Sequence, residues 1–111
     1  MGPTEKQIEN SILQWLLYKG IYAWKTKTVG TFDVRTKRFL KPSRLYRTGV
    51  SDIIGLLPPN GKLFAIEVKT KKGRLQENQK AFIDEIKARG GIAFVARSVD
   101  DVEKELLCHS S

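Results

Sequence analysis

Asp52, Glu67 and Lys69 are the residues of this 111-residue chain whose types and spacing are best suited to chemistry. Fourteen residues separate the two acids, and the turn-forming segment 58–61 (two prolines, asparagine, glycine) lies between two apolar runs. Such a pattern predicts a β-hairpin. A four-residue loop there places Asp52 directly opposite Glu67, with side-chain roots about 5 Å apart. Lys69 shares that face by strand alternation.

This arrangement predicts a divalent-metal site, because like charges placed opposite each other destabilise a sheet unless a cation lies between them. Mg²⁺ holds only one or two carboxylates in its octahedron of oxygens, and the Val68 carbonyl could add a neutral ligand. Metal coordination generates a hydroxide nucleophile and neutralises charge developing on a phosphate. Lys69 would orient or deprotonate the water, or stabilise the transition state. The alternative is a purely structural ion pair between Lys69 and either acid.

The rest of the chain predicts a single α/β domain over residues 1–111, with element order αβββαβα. A capping box at 4–7 begins the first helix, which ends at Gly20. A strand at 21–26, a long polar segment at 30–48 and the hairpin follow. The second helix is marked by Leu75, Gln79, Phe82, Ile83 and Ile86 and ends at residues 90–91; strand 92–96 and a helix capped by Ser98 complete the order. The β-α-β crossover makes the last two strands parallel.

Composition points to a polyanionic partner. Lysine and arginine outnumber the acids by 20 to 12, a net charge of +8. This balance favours nucleic acid first and an anionic membrane second. No apolar run approaches the roughly 20 residues needed to span a bilayer, and the N-terminus lacks a signal-peptide core. The lone cysteine, Cys108, excludes an internal disulfide, so a reducing, cytosolic location is expected.

A basic segment precedes the first acid. Residues 35–47 carry six cations and no acid, interleaved with aromatic and aliphatic side chains. Charge runs are usually solvated loops, but this position favours phosphate contacts with aromatic stacking. The predicted DNA-contacting residues are Arg35, Lys37, Arg38, Lys41, Arg44 and Arg47 in the basic loop 30–48, and Lys71, Lys72 and Arg74 beyond Lys69. Trp15, Tyr18 and Trp24 are interpreted as core or interface residues instead.

A family resemblance is carried by Gly-Val-Ser-Asp at 49–52 and Glu-Val-Lys at 67–69, which look like the PD-(D/E)XK nuclease motif. The αβββαβ order matches that superfamily's core. With Gly73 and Gln79 following in a short basic domain, the chain most resembles the VRR-NUC family of virus-type replication-repair nucleases, similar in turn to archaeal Holliday-junction resolvases. The resemblance covers residues 5–106. Ser51 stands where the superfamily motif has proline, a residue that is not a ligand, so the chemistry is unaffected.

The resemblance implies a restriction-endonuclease-like α/β core, with a central mixed sheet flanked by helices. It implies a DNA endonuclease that uses Mg²⁺ or Mn²⁺ and prefers branched or structured DNA such as Holliday junctions. A homodimer is also implied, since two active sites would then reach two strands of a junction. The expected location is the cytoplasm of a bacterial or phage-infected cell.

The same resemblance implies two further site residues. A third acid comes from the first helix, where Glu9 lies at the edge of the inward-facing stripe. Glu5 is its competitor, although the helix dipole already explains an acid beside the cap, and a surface role stays open for both. Gln79 matches the glutamine that follows the Glu-x-Lys motif in the family's site. It would bond a carboxylate or metal-bound water, or instead be a boundary residue bonded to backbone.

Two non-catalytic hypotheses compete with the nuclease. A nucleic-acid-binding module explains the charge and the basic loop equally well, but it does not explain two opposed acids on a hairpin. A basic subunit that scaffolds a larger complex predicts binding without metal dependence. Replacement of Glu67 by alanine separates these hypotheses, because a binder should keep its affinity whereas a nuclease should bind and stop cutting.

Overall fold

The computed structural model describes residues 2–26, 32–33, 38–39 and 48–109. Within these ranges the chain forms three helices and six strands. They are α1 (Glu5–Tyr18), β1 (Tyr22–Lys25), β2 (Phe32–Asp33), β3 (Arg38–Phe39), β4 (Ile53–Leu57), β5 (Lys62–Val68), α2 (Glu77–Ala88), β6 (Ile92–Ala96) and α3 (Val99–His109). No helix among them is long and apolar enough to cross a membrane.

A four-stranded mixed sheet in the order β1-β4-β5-β6 forms the centre of the domain. The β1–β4 and β4–β5 pairs are antiparallel, and β6 pairs with β5 in parallel, as the crossover predicts. Leu57 pairs with Lys62 and Ile53 with Ile66, which is the register that a four-residue loop requires. The predicted fold class and hairpin register are therefore confirmed.

Helices α1 and α3 cover one face of the sheet. The predicted capping box begins α1, since the Gln7 N–H donates to the Thr4 hydroxyl (3.1 Å) and the Thr4 N–H donates to the Gln7 side chain (2.9 Å). The apolar stripe of α1 then lies over the sheet with the inward residues of α3. This core comprises Ile8, Ile12, Leu16, Ile53, Leu57, Phe64, Ile66, Val68, Ile92, Phe94, Ala96, Val102 and Leu106.

Helix α2 packs on the opposite face, against β5 and β6. Ile83 packs there on Ala65 and Ala93, with Ile54 and Phe82 at the margin of this smaller cluster. The hairpin is thus apolar on both faces, as its sequence predicts. Because β1 is an edge strand and α2 covers β5 and β6 toward the opposite edge of the sheet, the side chains of β1 remain largely exposed.

Two details of the predicted helices and strands were wrong. Leu75 precedes α2, because the helix begins at Glu77 after its N-cap residue Gln76. The segment predicted as a loop at 30–48 contains a short antiparallel pair, β2 with β3, in which Phe32 lies opposite Phe39. The remaining boundaries agree with the prediction, including the last helix, where the Asp101 N–H donates to the Ser98 hydroxyl at 3.3 Å.

Candidate active site

Asp52 and Glu67 meet at one end of the hairpin. Asp52 comes immediately before β4, and Glu67 is the penultimate residue of β5. Because Ile53 pairs with Ile66 in the β4–β5 ladder, the two acids lie opposite each other. The Val68 N–H donates to Asp52 Oδ2 at 2.8 Å, which holds this carboxylate against β5. Asp52 is close enough to Glu67 to raise the pKa of the Glu67 carboxyl group. The geometry expected from the hairpin register is therefore present.

Glu67 lies in an environment that disfavours its charge. Only 2% of the residue is exposed. Burial, followed by the hydrogen-bonding interaction with Asp52 and the charge of Asp52, raises the pKa of Glu67 to about 8. Lys69 acts in the opposite direction but is outweighed. A carboxyl group with a pKa near 8 in the absence of a cation is a candidate functional group.

Lys69 and Gln79 both approach the same oxygen of Glu67. Lys69 is 7% exposed, and its Nζ lies 3.9 Å from Glu67 Oε2. Gln79 Nε2 donates to that oxygen at 3.3 Å, while Gln79 Oε1 accepts the Gln76 N–H at 2.9 Å. Gln79 thus bonds both the carboxylate and the backbone, which were alternatives at the level of sequence. The amide group links the first turn of α2 to Glu67.

Gly49 allows the segment before Asp52 to pass against the first turn of α2. Its φ is +73°, a left-handed conformation that L side chains rarely adopt. A Cβ atom at this position would overlap the backbone carbonyl of Asn78 and lie 2.8 Å from the Gln79 nitrogen. Only glycine therefore permits this approach, which brings the strand carrying Asp52 and the helix carrying Gln79 to the same place.

The two candidate acids of α1 differ in their surroundings. Glu9 is 8% exposed, and its Oε1 lies 3.2 Å from Lys25 Nζ. Glu5 is exposed, and its charge contributes to the raised pKa of Glu67. Burial favours Glu9 and electrostatic proximity to Glu67 favours Glu5, so both remain candidates for the helix-borne acid.

The donor set at the carboxylates fits a hard divalent cation. Oε1 of Glu67 is buried without a hydrogen-bond partner among the described residues, and an unsatisfied buried carboxylate oxygen suits a cation ligand. No three side chains of His, Cys, Asp or Glu in the described part of the chain form a metal-binding group. Two carboxylates with a backbone carbonyl, such as that of Val68, nevertheless suffice for Mg²⁺, which keeps several waters.

Most of the predicted DNA-contacting residues cannot be placed relative to this site. Arg35, Lys37, Lys41, Arg44 and Arg47 lie outside the described residues, and Arg38 is described only as a backbone position in β3. Lys71, Lys72 and Arg74 are exposed in the segment that follows Lys69. These three exposed cations, here called the basic rim, follow Lys69 closely in the chain, and their contact with DNA stays a prediction.

Sequence reasoning missed two residues that shape the site. Thr26 continues the β1–β4 ladder, since its N–H donates to the Asp52 carbonyl at 2.9 Å and its hydroxyl donates to the Ser51 carbonyl. Arg97 donates through Nη1 to the carbonyls of Thr70 and, at 2.8 Å, Gly73. The strand alternation at 21–26 could have indicated Thr26, whereas nothing in the sequence marks Arg97.

Comparisons with known proteins show the family and the fold of this chain. A sequence profile of the VRR-NUC domain matches residues 4–100. One similar solved structure, a "VRR_NUC domain", has 20% identity and a TM-score of 0.66 over 98% of this chain and 100% of its own. Another, a "VRR_NUC domain protein", has 19% identity and a TM-score of 0.68 over 97% of this chain and 88% of its own. No curated protein matches the chain. The chain belongs to the VRR-NUC domain family, a family of nucleases.

Proposed function

We propose that this protein is a metal-dependent endodeoxyribonuclease that hydrolyses phosphodiester bonds at Asp52 and Glu67. The observation that carries the proposal is the buried Glu67 carboxyl group, which lies opposite Asp52 and has one oxygen without a partner among the described residues. Two acids brought together in this way destabilise a fold. A divalent cation bound between them would offset that cost, which explains why a basic chain has this arrangement.

Each side chain of the site has a role that its contacts support. Asp52 and Glu67, with the Val68 carbonyl, would hold Mg²⁺ or Mn²⁺, and Glu9 or Glu5 would assist from α1. When bound, the metal ion lowers the pKa of a ligated water and neutralises charge on the phosphate. Gln79 orients the Glu67 carboxylate through Oε2. Lys69, whose Nζ is close to that oxygen, orients or deprotonates the attacking water or stabilises the transition state.

DNA is the proposed substrate because the chain belongs to a nuclease family and the exposed basic rim follows Lys69 of the site in the chain. Selectivity for branched DNA such as a Holliday junction, action as a homodimer and a role in DNA repair in the cytoplasm are proposed from the family resemblance. The competing function, a non-catalytic nucleic-acid-binding module, accounts for the charge of +8. It leaves the opposed carboxylates unexplained.

The test is cleavage of an end-labelled four-way junction and a matched linear duplex in Mg²⁺, Mn²⁺ or EDTA. We expect metal-dependent cutting of the junction that disappears in Glu67→Ala and persists in Glu105→Ala, an exposed acid of α3. Equal cutting of both substrates would retain the chemistry and remove the preference for junctions. Tight binding without cleavage in either metal would overturn the catalytic proposal and leave the binding module.

A further inference from the structure

Two aromatic side chains of β1 are exposed although the sequence suggested a core or interface position for one of them. Tyr22 is 71% exposed and Trp24 is 43% exposed. Their ring centroids lie 5.5 Å apart with an angle of 57° between the ring planes. Neither ring belongs to the core clusters, so part of the surface of each ring is available to a ligand.

These rings lie on the same sheet face as the carboxylates. Trp24 pairs with Ile54, and the Thr26 N–H bonds the Asp52 carbonyl one step further along the ladder. Side chains opposite each other share a face, and every second residue of a strand does so too. Trp24 is therefore the diagonal neighbour of Asp52, at about 7 Å between backbone positions. Tyr22 continues this aromatic row away from the site.

The position of the row determines which occupant fits it. A protein subunit held permanently against Trp24 would lie over Asp52 and obstruct access to the carboxylates. A substrate, in contrast, has to enter this space. The chain carries a net charge of +8, which attracts a polyanion. Nucleic-acid bases are the part of such a substrate that stacks on tyrosine and tryptophan, and every base has a π-face.

We propose that Tyr22 and Trp24 form a stacking site for unpaired DNA bases next to the scissile phosphate. The inference rests on the proposed nuclease function for its substrate, since the site would hold nucleotides that flank the phosphate at Asp52 and Glu67. Bases inside a duplex are stacked on each other and do not offer a free face. The stacking site therefore selects DNA with unpaired nucleotides beside the cleaved bond.

The test measures binding without cleavage. Fluorescence of Trp24 is followed in EDTA with a 15-nucleotide oligothymidine and with a duplex of the same length, in a Trp15→Phe background that leaves one tryptophan. Trp15 packs against the core from α1 and is not part of the row. Affinities of Tyr22→Ala and Trp24→Ala are measured by anisotropy of labelled DNA. Tyr18→Ala is the matched control, because Tyr18 is an aromatic residue of α1 that is 84% exposed.

We expect the oligothymidine to quench Trp24 and each alanine variant to lose about tenfold in affinity for it, as stacked bases typically do. Duplex affinity and the Tyr18→Ala variant should change little. Trp24→Phe should retain most of the affinity, because it keeps an aromatic ring. Tyr22 is more exposed than Trp24, so Tyr22→Ala tests the site even if Trp24→Ala unfolds.

Unchanged affinity of both alanine variants, or equal losses for single strand and duplex, would overturn the stacking site. The same holds if Trp24→Ala converts a dimer into a monomer with unchanged affinity, because the aromatics would then join two copies of the chain. Failure of the nuclease proposal is distinguishable. Stacking without cleavage in any metal would remove only the catalysis, whereas cleavage that depends on Glu67 without loss of binding in the variants would remove only the stacking site.

Discussion

At the scale of single residues, the surroundings of Glu67 disfavour the ionised form of its carboxyl group. Its carboxyl group is buried and near the charge of Asp52, Gln79 donates a hydrogen bond to it, and Lys69 only partly offsets the loss of hydration. A protonated Glu67 relieves the repulsion in the metal-free protein, and a cation would relieve it in the working enzyme. A proton and the proposed metal ion would therefore compete for the same carboxylate, as they do at metal sites in general.

This competition predicts how stability depends on pH. The pKa of Glu67 rises from 4.5 to about 8 on folding. Between these values the folded protein holds a proton that the unfolded chain has lost, so the stabilising contribution is present below pH 4.5 and is lost as the pH rises through 8. Urea unfolding in EDTA at pH 5.5 and pH 8.5 should show a steeper loss of stability for the wild type than for Glu67→Gln, which does not titrate.

Mg²⁺ should reverse the trend, because it stabilises the ionised form of Glu67. Addition of Mg²⁺ at pH 8.5 is expected to raise the free energy of unfolding of the wild type and leave Glu67→Gln nearly unchanged. Glu105→Gln, an exposed acid on α3, provides the control for loss of one negative charge. Parallel pH profiles of wild type and Glu67→Gln would contradict the prediction.

At the scale of elements, the site depends on how closely three segments approach each other. Gly49 lets the chain before β4 touch the first turn of α2, and Gln79 in that turn bonds Glu67 on β5. The turn after Lys69 is fixed from the other side by Arg97, which follows β6. Each contact joins segments distant in sequence, so the precision of the site is a tertiary property.

Gly49→Ala should therefore destabilise the fold by more than the strain of a positive φ alone. A residue with positive φ costs about 1–2 kcal/mol when glycine is replaced, and here the new Cβ would also overlap the carbonyl of Asn78. Gly61→Ala is the matched control, because Gly61 has nearly the same φ, 72° against 73°, but no atom of the described residues lies within 4 Å of the added Cβ. Chemical denaturation should show a clearly larger loss of stability for Gly49→Ala, and equal losses would refute the steric argument.

Arg97 is predicted to fix the basic turn that follows Lys69. One guanidinium nitrogen donates to three carbonyls, those of Thr70, Lys71 and Gly73. Arg97→Lys keeps the charge but not the planar set of donors, so it should loosen the turn almost as much as Arg97→Ala. Hydrogen exchange of the Gly73 amide, which bonds the Thr70 carbonyl at 3.0 Å, should accelerate in both variants.

Arg89→Ala is the control for this prediction, because Arg89 is an exposed arginine whose ion pair, with Glu85 at 3.3 Å, lies at the C-terminal end of α2. Its removal should leave exchange at Gly73 unchanged. If Arg97→Lys exchanges at the wild-type rate, charge rather than hydrogen-bond geometry holds the turn.

At the scale of the whole molecule, the parts that sequence predicts are those with local determinants. The hairpin register follows from a four-residue loop between apolar runs, and it brought Asp52 and Glu67 together correctly. The boundaries of β6 follow from a short apolar run bounded by glycine. Arg97 was not predictable, because its partners lie more than 20 positions earlier in the chain. The exposure of Trp24 depends on which strand is at the edge of the sheet and which helix covers it, and neither is encoded locally.

The basic rim beside the site gives the last prediction, which concerns long-range electrostatics. Each phosphate that a cation neutralises releases counterions, so the logarithm of affinity for duplex DNA falls with the logarithm of salt concentration by about 0.9 per contact. Lys71, Lys72 and Arg74 are exposed next to Lys69. Glutamine at all three positions should weaken binding to a four-way junction in EDTA and lower the salt slope by roughly 2–3.

Lys104, an exposed lysine on α3, provides the control for the loss of a positive charge away from the rim, since α3 packs on the opposite face of the sheet. Lys104→Gln should shift affinity slightly and leave the salt slope nearly unchanged. If the triple variant keeps the wild-type slope, the rim does not contact phosphate, and the polyanion is held by other cations of a chain whose net charge is +8. A reduced slope with unchanged metal dependence of cleavage would separate DNA binding at the rim from hydrolysis at Glu67.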